Sequence, residues 1–149
     1  MILLAGGTGR LGRLVVNGLT ELGEPVRVLT RDASRAAALQ GPLVDVVRGD
    51  VRDPSTLGPA MAGARTVVSA VHGFAGPGGV TPESVDRYGN ANLVAAAMTE
   101  GSAMVLVSVV GASADSAMEL FRMKAAAEEN LINSGVPWTI VRASGFLEL

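Results

Sequence analysis

The stretch Ile2-Leu-Leu-Ala-Gly-Gly-Thr-Gly-Arg-Leu-Gly12 decides how this chain is read. A strand-length apolar run leads directly into a cluster of glycines, and behind it Leu11, Val15, Gly18, Leu19 and Leu22 recur at helical spacing before Gly23. A strand, a glycine turn and a helix in that order leave free N–H groups at the positive end of the helix macrodipole. The glycines let the backbone turn tightly and approach a pyrophosphate, so G-x-G-x-x-G in this context points to a dinucleotide. A turn that bound nothing would not need so many glycines, each of which loses more conformational freedom on folding than any other residue.

Outward from this point the alternation continues. Val26–Thr30, Leu43–Val47, Thr66–Ala70, Met104–Ser108 and Trp138–Val141 are further strand-length runs, apolar on both faces, which suits a parallel sheet covered on both sides. Between them Asp53-Pro54 reads as an N-cap with proline at the first helical position, and Gly63 closes the helix containing Leu57 and Met61. Thr81-Pro82-Glu83 opens another helix running towards Ala97, and the last spans about Ser116 to Asn133. The glycine- and proline-rich Val71–Val80 reads as a mobile loop. The fold expected is an α/β, Rossmann-type doubly wound parallel sheet of about six strands, order 3-2-1-4-5-6, in three layers.

Composition removes other classes. At 149 residues the chain is one domain large enough to bury a core without staples, and with no cysteine it has no thiol catalysis or disulfide frame. The absence of cysteine favours the cytoplasm. Lys124 is the single lysine, preceded by Met123, so there is no Walker A loop; a single His72 excludes a multi-histidine metal site, and no metal is expected. No serine stands in Gly-x-Ser-x-Gly. A net charge of −2 without a basic block argues against nucleic acid, and no apolar stretch is long enough to span a membrane. The remaining partners are a small-molecule substrate or none, with a homo-oligomer left open.

Leu4–Gly12, Val28-Leu-Thr-Arg-Asp32, Gly49-Asp-Val-Arg-Asp-Pro54, Gly89-Asn-Ala-Asn-Leu93, Val107–Ala112, Lys124–Glu129 and Pro137–Arg142 with Gly145-Phe146 together resemble one family. It is the NmrA-like, NAD(P)-binding branch of the atypical short-chain dehydrogenases, and the segments occur in family order across the chain. The resemblance implies that Gly6, Thr8, Gly9, Arg10, Leu11 and Gly12 line the pyrophosphate, that Asp50 and Val51 meet the adenine, and that Ala70 and Val71 lie along the ribose and pyrophosphate. Asp50 also reads as a residue capping the next helix, although Asp53 is better placed for that. Members of the family normally continue with a substrate region, so residues 1–149 are expected to be the cofactor domain without it.

Thr30-Arg31-Asp32 bears on which cofactor is used. An acid at the end of the second strand would take the ribose hydroxyl of NAD, whereas an arginine accommodates the 2′-phosphate of NADP. Arg31, with Arg13 and Arg35 adding charge, favours NADP; Asp32 keeps NAD open. Lys124 falls in the stripe Ala117, Leu120, Lys124, Ala127, Leu131, and a chain that otherwise uses arginine needs a compact ammonium there. The resemblance makes Lys124 the lysine of Tyr-x-x-x-Lys, holding the nicotinamide ribose. Leu120 stands where the tyrosine would be, and Tyr88 lies on a different helix. Ser108, at the end of the fifth strand, is the remaining candidate to touch nicotinamide or substrate, while Arg142, Ser144 and Phe146 resemble the segment passing the nicotinamide. His72 is read as a solvated or structural histidine.

Two functions are expected: an NADP-dependent oxidoreductase acting on a carbonyl, quinone or unsaturated substrate, and a non-catalytic module sensing NADP(H). A nucleotide-sugar epimerase is disfavoured, because that branch also relies on Tyr-x-x-x-Lys.

Overall fold

The computed structural model describes residues 1–74 and 76–144. Six strands, β1 (Ile2–Ala5), β2 (Val26–Thr30), β3 (Val44–Arg48), β4 (Thr66–Ser69), β5 (Ala103–Val109) and β6 (Trp138–Ala143), pair in parallel in the order β3-β2-β1-β4-β5-β6. Alternation of side chains across the sheet divides the core in two. Leu3, Ala5, Val67, Met104 and Leu106 point to one face, where they pack with Leu57, Leu93 and Leu131 of the helices on that side. Leu4, Val26 and Val28 point to the other, against Val16 of the first helix and Leu39. The three layers expected from the sequence are present.

Helix α1 (Arg10–Glu21) ends in a Schellman arrangement: Gly23 N–H donates to Thr20 O at 3.0 Å, Glu24 N–H to Leu19 O at 2.9 Å, and Gly23 has φ +79°. The buried stripe is rotated from the one expected. Gly12 and Val16 are buried with Val15 and Leu19 beside them, while Gly18 and Leu22 face solvent, Leu22 being 80% exposed.

Between β2 and β3 the chain makes a 3-10 segment, Ala33–Leu39, capped by the Asp32 carboxylate. A short 3-10 turn, Pro54–Thr56, capped by Asp53 as its Asp-Pro pair predicts, leads into α2 (Leu57–Met61). Thr81 Oγ1 accepts from Ser84 N–H and Ser84 Oγ from Thr81 N–H, both at 3.0 Å, a reciprocal cap. The helix it opens is π-helical over Glu83–Gly89 before continuing as α3 (Asn90–Glu100), an insertion that apolar periodicity does not announce. The last helix, α4, is Glu119–Asn133, three residues later than expected.

Two expectations need correcting. β3 and β6 are edge strands and are not covered on both faces; Val141 is 48% exposed. The segment 71–80 is also tied down at several described residues. Gly73 N–H donates to Asp86 Oδ2 at 2.7 Å, and Pro77 O and Gly78 O accept from Arg31 and Arg52. A Cβ on Gly73 would lie 2.0 Å from Thr81 O, so only glycine permits that close return of the chain.

Candidate functional site

A cleft of about 1060 Å³ runs along the carboxyl ends of the strands, over the β1–β4 boundary where chain order reverses. Open α/β sheets bind ligands at such a switch point. The glycine loop lines its centre, Arg31, Arg35, Asp50 and Val51 line one end, and Ala70, Val71, Ser108 and Lys124 the other, whereas Arg13 and Arg142 are not part of the lining.

The glycines divide the work at the centre. Gly6 takes φ +87°, and a Cβ there would stand 2.6 Å from Ala70 O. A Cβ on Gly12 would stand 2.1 Å from Gly6 O, so α1 seats against the loop only through a bare Cα. Around Gly9 the protein leaves more room, its nearest neighbour being Gly6 O at 3.3 Å, so the lack of a side chain there opens space on the cleft side. No side chain caps the N-terminus of α1, which therefore keeps its first-turn N–H groups for an anion.

At the end formed by β2 and β3, Arg13 does not add to the cleft's charge as expected. Its guanidinium donates to Thr8 O at 3.2 Å and Arg35 O at 3.0 Å, tying the glycine loop to the 3-10 segment. Asp32 Oδ1 accepts from Ser34 N–H at 2.9 Å and Ser34 Oγ–H at 2.7 Å, bonds that hold its carboxyl below the usual carboxylate range. Arg31 Nη1 makes only a long contact, 3.4 Å, to Pro77 O. Asp50 pairs with Arg52, whose hydrogen bonds are the main reason its carboxyl also lies below the usual range.

At the other end Lys124 is 4% exposed, and its surroundings are not the apolar ones its helical stripe implies. Its Nζ donates to Val71 O at 2.9 Å and Val107 O at 3.0 Å, and lies 2.9 Å from Oδ1 of the fully buried Asp86. Two carbonyl acceptors and a paired carboxylate around one compact ammonium explain why this position carries lysine rather than the planar, forked arginine. Asp86 was missed by the sequence reading. It stands in the π-helical segment and carries no motif; Asn90, which bridges Ser69 and Asp86 O, lies in the Gly89–Leu93 segment that carries the resemblance, but no role was read for it.

Ser108 is buried in the same wall, and among the described residues its Oγ has no hydrogen bond of good geometry. Glu128, nearly buried on α4, pairs with Arg142 at 3.0 Å and at 2.5 Å. Burial pushes the Glu128 carboxyl up, but Arg142, the Ser108 hydroxyl and Lys124 outweigh it and hold the group below its ordinary range. Leu120 and Phe121 line the cleft near Lys124, so no phenol stands at the tyrosine position; Tyr88 is half-exposed with Arg87 over its ring. His72 is exposed at the rim. Ser144 lines the cleft, whereas Gly145 and Phe146 lie outside the described residues. Among the described residues no group of acids or histidines could hold a metal, and no helix is long and apolar enough to cross a membrane.

Comparison with known proteins agrees with this geometry. Residues 6–148 match the family model described as NAD(P)H-binding. The chain is 33% identical over 149 residues to NAD(P)H azoreductase of Xenophilus azovorans, covering 99% of this chain and 49% of that protein. It is 30% identical to the photosystem II assembly factor Ycf39 of Synechocystis, covering 99% of this chain and 45% of that one. The triphenylmethane reductase of Citrobacter, solved with NADP(H), superposes with a TM-score of 0.78 at 26% identity, over 95% of this chain and 49% of that one. The chain thus spans about half the length of these relatives. With a Rossmann-type sheet, a glycine loop under an uncapped helix and a matching family model, this chain belongs to the NAD(P)H-binding family.

Proposed function

We propose that the chain is the cofactor domain of an NADP(H)-dependent reductase. The observation that carries the proposal is a single cleft joining an uncapped helix N-terminus, an arginine-lined end and the buried Ser108 hydroxyl. Arg31 and Arg35 line the end where a 2′-phosphate would be read, and Asp32 is turned towards Ser34, which supports NADP over NAD. At the opposite end Ser108 would meet the nicotinamide or the substrate, with Lys124 setting the spacing of the β4 and β5 ends through their carbonyls. When bound, the reduced cofactor supplies a hydride.

Leu120 supplies no proton at the position where related enzymes use a phenol. Acceptors that need only the hydride, such as a cationic conjugated dye, or that leave a stabilised anion, such as a quinone, suit that wall. The likeness to a triphenylmethane reductase and an azoreductase supports this substrate class. Titration with NADPH and NADH, followed by turnover assays with cationic dyes, quinones, azo compounds and carbonyls, tests it; reduction of carbonyls alone would contradict it. A second reading, a non-catalytic NADP(H)-responsive module, is favoured by the same Leu120 and by the likeness to an assembly factor. Tight NADPH binding with no turnover on any acceptor would decide for it. We place the protein in the cytoplasm on its lack of cysteine, which microscopy of a tagged protein would check.

A further inference from the structure

The turn after β3 carries an arginine that the sequence reading passed over. Its backbone is fixed from several sides: Asp50 N–H donates to Thr56 Oγ1 at 3.0 Å, Asn92 Nδ2 donates to Val51 O at 2.9 Å, and a Cβ on Gly89 would stand 2.7 Å from Val51 Cγ2. On this turn Arg52 folds back onto Asp50. Arg52 N–H and Nε–H reach Oδ1 at 2.9 and 3.1 Å, and Nε–H and Nη2–H reach Oδ2 at 3.1 and 2.7 Å. Across the cleft Nη1 donates to Gly78 O at 2.7 Å.

Two consequences follow from donor and acceptor geometry. A carboxylate offers about four lone-pair directions, and three N–H donors of Arg52, the Nε–H shared between both oxygens, already take most of those on Asp50, so the carboxylate has less left for a base amine. All three guanidinium nitrogens are bonded at the edge, which fixes the plane of the group and leaves its faces for stacking. The side chain is one-quarter exposed and lines the cleft with Leu29, Gly49, Val51 and Val85.

We propose that Arg52 is the adenine-reading residue of the cleft, stacking its guanidinium on the base, and that Asp50 is a positioning residue that holds it. The inference rests on the reading of the cleft as a dinucleotide site and goes beyond it by assigning the base contact to a cation plane instead of a carboxylate. A stacked plane is indifferent to the 6-amino group of adenine, whereas a carboxylate that accepted from that amine would depend on it.

Calorimetric titration with NADPH, NADH and deamino-NADPH, which carries hypoxanthine in place of adenine, separates the two. The unsubstituted protein should bind NADPH and deamino-NADPH within about twofold of each other. Arg52→Ala should weaken NADPH, NADH and deamino-NADPH by a common factor of about ten, the scale of one stacked base. Arg52→Lys, which keeps the charge and loses the plane, should behave like Arg52→Ala, and circular dichroism checks that both variants fold. A loss confined to deamino-NADPH on the unsubstituted protein would return the base contact to Asp50 and overturn the inference. A loss on Arg52→Ala confined to NADPH would make Arg52 a phosphate ligand, and unchanged affinities would remove it from the site. Failure of the unsubstituted protein to bind any of the three would overturn the dinucleotide reading itself and this inference with it.

Discussion

Lys124 and Arg31 show how far single residues can be read before any contact is known. That Lys124 is the sole lysine marked it as a position needing a compact ammonium, and the two carbonyls and the carboxylate around it supply the reason. The identity of its ion-pair partner could not be read, because Asp86 is an acid within a helix with no local feature to mark it as buried. The partner changes what a substitution does. Lys124→Met leaves a buried carboxylate uncompensated, and breaking such a pair costs about 3 to 5 kcal/mol. Urea unfolding should show that loss, and Lys124→Met with Asp86→Leu should recover much of it; additive losses in the double variant would mean the pair is not coupled. For Arg31, whose contact to Pro77 O is long, Arg31→Ala should leave folding intact and weaken NADPH binding about tenfold or more, the scale of a hydrogen bond to a charged group, with NADH little changed.

At the scale of elements, caps and turns were legible wherever a local rule sets them. Asp53-Pro54, Gly63, Gly23 and the Thr81 start all stand where their residue types place them. The π-helical segment and the exposed edge strands were not legible, because both depend on what packs against them. The glycine loop divides in the same way. Spacing marks three glycines as equivalent, and the structure separates them: Gly12 has no room inside the protein, while Gly9 has more. Gly12→Val should therefore unfold or strongly destabilise the chain, whereas Gly9→Val should remain folded by circular dichroism and lose NADPH binding. Normal binding by a folded Gly9→Val variant would place the phosphates elsewhere. The α4–β6 contact adds a pH dependence. The Glu128 carboxyl is held below its ordinary range, so its contribution to stability is complete above the unfolded carboxylate pKa, about 4.3, and is lost as pH falls through the lower folded value. Glu128→Gln should flatten that acid limb in thermal scans between pH 7 and 3, and an unchanged limb would show that Glu128 is not its source.

For the whole molecule, the six-strand order was legible because parallel strands joined by right-handed crossovers admit few arrangements, and the glycine loop fixes where chain order reverses. The same geometry gathers residues far apart in sequence, Arg31, Asp50 and Ser108 along one row of strand ends, with Lys124 reaching in from α4. What acts on a substrate is less legible, since half the length of the relatives lies beyond the matched segment. The central claim is that this row of strand ends is an NADP(H) site. Calorimetric titration of the unsubstituted chain with NADPH and with NADH tests it most directly: the geometry predicts one NADPH per chain, bound at least tenfold more tightly than NADH, and equal affinity for the two, or binding of neither, would contradict it.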